Sequence, residues 1–331
     1  RWRVWWPMAD SDPSTIDVRF LGTGDAFSAG GRLQSATLLR SGPRGVLVDC
    51  GPTTLAAMRG AGIEPEVVET IILTHLHGDH FAGVPFLIMD AHYASGRTAP
   101  LTVAGPPGLA TRMQEAHDVL FPGTGALPLR FSLTYVELVA RRPADLTTCV
   151  VTAFPAAHGT ALSCYSLRVE FGGRVVAFSG DTQWTDALLH VSANADLFVC
   201  ECYGFQNAPP HHLDYRTLMS HQREFTCRRI VLNHMGAEML RQAPRLEIET
   251  ASDFSTFWQA VADLPWRAEV APFMSLRASL LPSALGQALE AMSSLPLSAF
   301  EAGVMVGPGY GGLRLLCYPR AGETSLAEEA R

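Results

Sequence analysis

Short apolar runs that break at glycine, proline or polar turns recur along the chain, and several are followed by stretches whose apolar residues fall three to four apart. Runs of the first kind predict strands and the second spacing predicts helices. Ile16–Gly22 is such a run and enters the glycine-rich turn GTGDAF, and Gly45–Cys50 is a second, closed by Gly51 and Pro52. Glu69–Thr74 predicts a third strand, and helical spacing follows over Phe81–Tyr93. Leu101–Ala104 and Val150–Phe154 read as further strands, while Ser166–Val169 and Val175–Ser179 form a hairpin through Gly172 and Gly173. A strand over Asp196–Cys202, a helix over Leu213–Phe225 and a strand over Arg229–Leu232 complete an α/β pattern.

Near Ser252 the pattern changes. Phe254–Val261 has helical spacing, Glu269–Leu281 is extended, Ser283–Met292 is helical, and Ala299–Val306 and Gly312–Tyr318 are extended. The reading is an N-terminal extension (1–15), a main domain (16–253), a small C-terminal α+β appendage (254–320) and a polar tail, Ala321–Arg331. The appendage reads as a packing or homodimerisation element, with an active-site cover as the other option.

Composition narrows the function. With 331 residues, 47% of them hydrophobic and 17% charged, the chain is long and apolar enough to bury a large core. The net charge of −7 argues against a general nucleic-acid surface, which needs a basic face to displace counterions. All 25 basic residues are arginine, which excludes a lysine Schiff base and a P-loop lysine. Seven scattered cysteines without a C-x-x-C pair suggest neither a zinc knuckle nor a disulfide framework, and free thiols fit a cytoplasmic location. The opening RWRVWWP lacks the apolar stretch of a signal peptide, and no apolar run is long enough for a membrane span.

The chemistry concentrates in THLHGDH, residues 74–80, directly after the third predicted strand. His75, His77, Asp79 and His80 are imidazole and carboxylate ligands of the kind zinc prefers, and Gly78 lets the backbone turn sharply between them. The four exceed what one ion takes from so short a loop.

H-x-H-x-D-H after an apolar strand resembles the signature of the metallo-β-lactamase superfamily. The later positions of that pattern are filled in order: FPAAHG supplies His158, VVAFSGDT supplies Asp181 and IVLNHMG supplies His234. The resemblance covers about residues 16–253. It implies an αββα four-layer sandwich with a two-metal site at one rim. His75, His77 and His158 would hold one divalent ion and Asp79, His80 and His234 the other, with Asp181 bridging. The ions would be zinc, with manganese or iron(II) as alternatives. Two such ions about 3.5–4 Å apart acidify a shared water and clamp substrate oxygens.

LGTGDAF, VDCG at 48–51 and NHMG at 233–236 are more similar to the ribonuclease Z-like branch than to lactamases. In that branch a glutamate after a later strand and a histidine opening a helix assist proton transfer. Glu201 in VCECYG takes the first place, and His211 or His212 in HHLDYRTL the second, with His212 preferred because it abuts the helical run. The catalytic candidates are therefore Asp79, Glu201 and His212. Ribonuclease Z itself inserts a transfer-RNA-gripping arm between its third histidine and bridging aspartate; here only 23 positions separate His158 from Asp181, filled by the hairpin. The expected function is hydrolysis of a small phosphodiester or cyclic phosphate. A transfer RNA 3′-end endonuclease ranks next, then hydrolysis of another ester, thioester or lactam. The non-enzyme alternative is an inactive metal-binding scaffold. His92, His117, His190 and His221 are expected to be ordinary helix-associated histidines.

Overall fold

Successive side chains of a strand face opposite ways, so a strand that is apolar at every position must be covered on both sides. The computed structural model, which describes residues 16–125, 127–159, 163–259, 267–270, 300–305 and 314–319, shows that covering. The chain divides into two units that meet in sequence at Glu269 and Val270.

In the first unit β1 (Ile16–Gly22), β2 (Ala36–Ser41) and β3 (Arg44–Val48) form an antiparallel meander. To β3 are added, in parallel and in turn, β4 (Val68–Ile72), β5 (Leu101–Gly105) and β6 (Leu133–Glu137). A second sheet begins with β7 (Pro143–Asp145), β8 (Val150–Pro155), β9 (Tyr165–Phe171) and β10 (Arg174–Phe178), all antiparallel. It continues in parallel with β11 (Leu197–Glu201), β12 (Ile230–Asn233) and β13 (Glu249–Thr250). The chain then returns to the first sheet, where β14 (Ser255–Gln259) pairs antiparallel with β1 and β15 (Arg267–Val270) lies outside it.

Parity sorts the side chains into three apolar layers. Val18, Phe20, Leu39, Val46 and Ile72 from the first sheet meet Val169, Val176, Phe178, Val199 and Val231 from the second, forming the layer between sheets. Their neighbours Leu38, Leu47, Ile71 and Val103 point the other way, under α1 (Thr54–Gly60), α3 (Val84–Tyr93) and α4 (Leu109–Leu120). Ala177, Phe198, Cys200 and Leu232 do the same beneath α5 (Ala187–Ser192), α6 (Tyr215–Ser220) and α7 (Ala237–Gln242). The result is the expected αββα sandwich. Among the described residues no helix is long and apolar enough to cross a membrane.

Three expected elements are corrected. The segment Phe254–Val261 is not helical at its start: β14 occupies Ser255–Gln259, where Phe257, 2% exposed, packs edge-on against Phe20 at 5.5 Å. The open edge of β1 outweighs the helical spacing, and the sheet thus runs past residue 253. The helix expected over Phe81–Tyr93 is divided into α2 (Gly78–Phe81) and α3, because Pro85 has no amide hydrogen for Phe81. The helix expected over Leu213–Phe225 starts at Tyr215, where the Asp214 carboxylate caps Thr217 N at 2.8 Å, and ends at Ser220. In the second unit β16 (Phe300–Met305) and β17 (Arg314–Pro319) pair antiparallel, within or close to the two segments expected to be extended. The expected helix Ser283–Met292, the N-terminal extension and the tail lie outside the described residues.

Candidate metal centre

The site forms where parallel strands end, the usual place for a site in a sheet of this kind. After β4, His75 and Leu76 are buried while His77 faces outward; Leu76 anchors the loop in the apolar layer under α3. Asp79 and His80 follow in the first turn of α2. That turn is seated against the loop after β3 through Cys50 N to His80 O, 2.6 Å, and Gly83 N to Cys50 O, 2.9 Å. A side chain at Gly51 would come within 2.5 Å of Asp79 O, so only glycine permits the approach. His158, Asp181 and His234 arrive from the ends of β8, β10 and β12.

These seven residues fall into two groups. His77 Nδ1 lies 3.1 Å from both His75 Nε2 and His158 Nε2. Asp79 Oδ2 lies 3.2 Å from His80 Nε2 and 3.4 Å from His234 Nε2. Asp181 faces both groups: its Oδ2 is 3.9 Å from His75 Nε2, 3.7 Å from His158 Nε2 and 3.5 Å from His234 Nε2, while Oδ1 is 3.4 Å from His80 Nε2. Neutral rings pair such nitrogens only through a ring proton, whereas one cation among them would satisfy all three lone pairs. Ligands on a tetrahedral zinc, with bonds of about 2.0–2.1 Å, stand about 3.3 Å apart, close to the spacing seen. His80 Nε2 is buried and faces the carboxylates of Asp79 and Asp181, the setting a nitrogen that shares an ion with them would have. The donor sets fit a pair of divalent ions.

Electrostatics separates the two groups. Burial, reinforced by neighbouring His80, pushes the His75 imidazole well below its ordinary pKa. Burial opposes charge on His234 as well, but Asp181 and the hydrogen bond to Asp79 prevail and raise it to about 9. His80 is raised for the same reason, by Asp181, Asp79 and Asp49. Burial likewise opposes ionisation of Asp181, yet His234 and His80 hold it well below the usual carboxylate range. The carboxylates thus favour protons on the imidazoles of the Asp79 group, whereas burial disfavours them on those of the His75 group.

Around the ligands stands a second ring of contacts, only part of which the sequence revealed. Asp49, at the end of β3 with φ +58°, accepts a hydrogen bond from His80 Nδ1 at 2.8 Å and from Thr74 N at 2.8 Å. VDCG marked the segment but gave Asp49 no role. His158 Nδ1 donates to the backbone carbonyl of His211 at 2.9 Å, whereas the His211 side chain is exposed. His212 and Glu201 meet, Nδ1 to Oε2, at 3.1 Å, and the amide of Thr182 donates to the other Glu201 oxygen. Burial and nearby Asp181 push the Glu201 carboxyl up, and burial pushes His212 down. Tyr203, also not anticipated, packs 4.9 Å from the His212 ring and 6.3 Å from that of His234; His158 at 4.8 Å and His234 at 5.8 Å are the other ring neighbours of His212. Of the four ordinary histidines, His117 bonds Thr124, His190 bonds Asp186 O and His221 stacks on Trp184; none joins the site.

A family model described as anti-Pycsar protein Apyc1 matches residues 16–260. The chain belongs to the Apyc1 family. The Apyc1 match spans all seven candidate ligands and includes β14. A curated relative, ribonuclease Z of Lachnoclostridium phytofermentans, is 34% identical over 165 residues, 49% of this chain and 51% of its own. The chain spans about half the length of the first such relatives it matches. Among solved structures, the short form of human tRNase Z superposes with a TM-score of 0.61 at 25% identity, covering 72% of this chain and 98% of the other. The metallo-β-lactamase fold protein YhfI of Bacillus subtilis gives 0.60 at 20% identity, covering 74% and 99%. The fold is that of the metallo-β-lactamase superfamily, in its ribonuclease Z-like branch.

Proposed function

We propose that this Apyc1-family chain is a metal-dependent phosphodiesterase acting on a small phosphodiester or cyclic phosphate. The observation that carries the reading is the convergence of two ligand groups on Asp181 beside a paired Glu201 and His212. His75, His77 and His158 would hold one divalent ion, and Asp79, His80 and His234 the second. When bound, such a pair supplies Lewis acidity for activating water and neutralises charge on phosphoryl oxygens.

The protein's own groups do the rest. Glu201 accepts from His212 Nδ1 and leaves Nε2 as the atom that meets a leaving group, while Tyr203 and His234 both pack against the ring. Burial keeps His212 neutral until a phosphate arrives, whose negative charge favours the imidazolium needed for donation. Asp49 and the His211 carbonyl fix the rings of His80 and His158.

The relatives named ribonuclease Z favour a second reading, transfer RNA 3′-end cleavage. Against it stand the net charge of −7 and the short hairpin of β9 and β10, which takes up the stretch between His158 and Asp181 where a gripping arm would be inserted. A bis-aryl phosphodiester and a precursor transfer RNA, assayed side by side with zinc or manganese, decide between them. Cleavage of the ester with poor processing of the RNA is expected. Efficient, site-specific removal of the RNA trailer would make the second reading correct.

A further inference from the structure

We infer that His211 is a positioning residue: its backbone carbonyl, set by the Pro209–His212 turn, holds His158 in the tautomer that presents Nε2 to His75 and His77. The inference rests on the metal reading of the site and adds to it a backbone group of a residue whose side chain is exposed.

The sequence PPHH builds this device. His212 N donates to Pro209 O at 3.2 Å, closing a four-residue turn, and His211 in the third position has φ +72°. Proline at the second position and a positive φ at the third define a type II turn, whose third position favours glycine or asparagine. With φ fixed by the ring of Pro210 and the turn closed by hydrogen bonding, the carbonyl of His211 has little freedom. It accepts from His158 Nδ1 at 2.9 Å, so the proton resides on Nδ1 and the lone pair on Nε2 faces His77 Nδ1 at 3.1 Å. The His211 ring lies over Gly159, next to His158, where an added Cβ would approach His211 Nε2 to 2.3 Å. Gly159 itself has φ +63°. The following residue, His212, places its ring 4.8 Å from His158 and bonds Glu201, so one dipeptide orients a candidate ligand through its backbone and a candidate proton donor through its side chain.

Because the carbonyl acts and not the imidazole, substitutions at 211 should sort by their tolerance of positive φ rather than by their chemistry. His211→Gly and His211→Asn keep the turn; His211→Val, β-branched and disfavoured at positive φ, should displace the carbonyl. Zinc titrated into chelator-stripped protein should show two ions bound by the wild type and by the Gly and Asn variants. In His211→Val one of the two affinities should fall about 10–100-fold while the other is unchanged. Independently of any variant, nitrogen-15 spectra of the zinc-loaded wild type should show His158 ligating through Nε2 with a proton on Nδ1. Equal zinc binding by His211→Val and wild type, a loss in His211→Gly as large as in His211→Val, or ligation of His158 through Nδ1 would each overturn the inference. A wild type that takes up no ion would instead overturn the metal reading itself.

Discussion

His212 and His234 carry the sharpest expectations at the scale of single residues. A leaving alkoxide needs a proton and a nitrophenolate does not, and a positioned acid contributes typically about 10²–10⁴ in rate. His212→Ala should therefore depress turnover by about that range for an alkyl ester, only mildly for a nitrophenyl ester, with metal content intact; equal losses on both substrates would remove His212 from the donor's role. Protons and metal also compete at His80 and His234. With His234 raised to about 9 and His80 raised by Asp181, Asp79 and Asp49, both rings favour the charged form when no ion is bound. Ligation requires the neutral ring, so metal uptake should release protons at pH 7, fewer once pH exceeds about 9, and apparent affinity should climb with pH in between. Calorimetry in buffers of different ionisation enthalpy measures the release, and a pH-independent heat would contradict it. The seven candidate ligands, which the fold brings together, were legible because covalent spacing writes them into short loops at predicted strand ends. Asp49, Tyr203 and the His211 carbonyl were not: the first two reach the site through tertiary neighbours, and a backbone carbonyl has no residue type to betray it.

Strands proved easier to read than helices. Apolar runs such as Val175–Ser179 and Asp196–Cys202 located β10 and β11 within a residue or so, since burial on both faces leaves a continuous signal. Helix limits depended on single residues, Pro85 and Asp214, that act through backbone hydrogen bonding rather than periodicity. β14 was misread because Phe254, Phe257, Trp258 and Val261 recur at helical intervals, and only the unpaired edge of β1 decides the matter. If β14 belongs to the core sheet, Phe257→Ala should cost about 3–5 kcal/mol in urea unfolding, the usual toll for an aromatic ring removed from a packed core. A change below 1 kcal/mol, as expected of a surface position, would argue against that placement.

For the whole molecule, the origin of the ligands matters as much as their identity. His75, His77, Asp79 and His80 extend from the first sheet, and His158, Asp181 and His234 from the second. The layer between the sheets is apolar and non-directional, while the ligand shell is directional and sits at its open end. Ions held by these residues would act as a rivet through the seam of the sandwich. Stripping the ions with a chelator should quicken amide exchange first in the strand-end loops of both sheets together, sparing the outer helices. Exchange that quickens on one side alone would mean that the two halves are fastened by their apolar filling and not by the rivet.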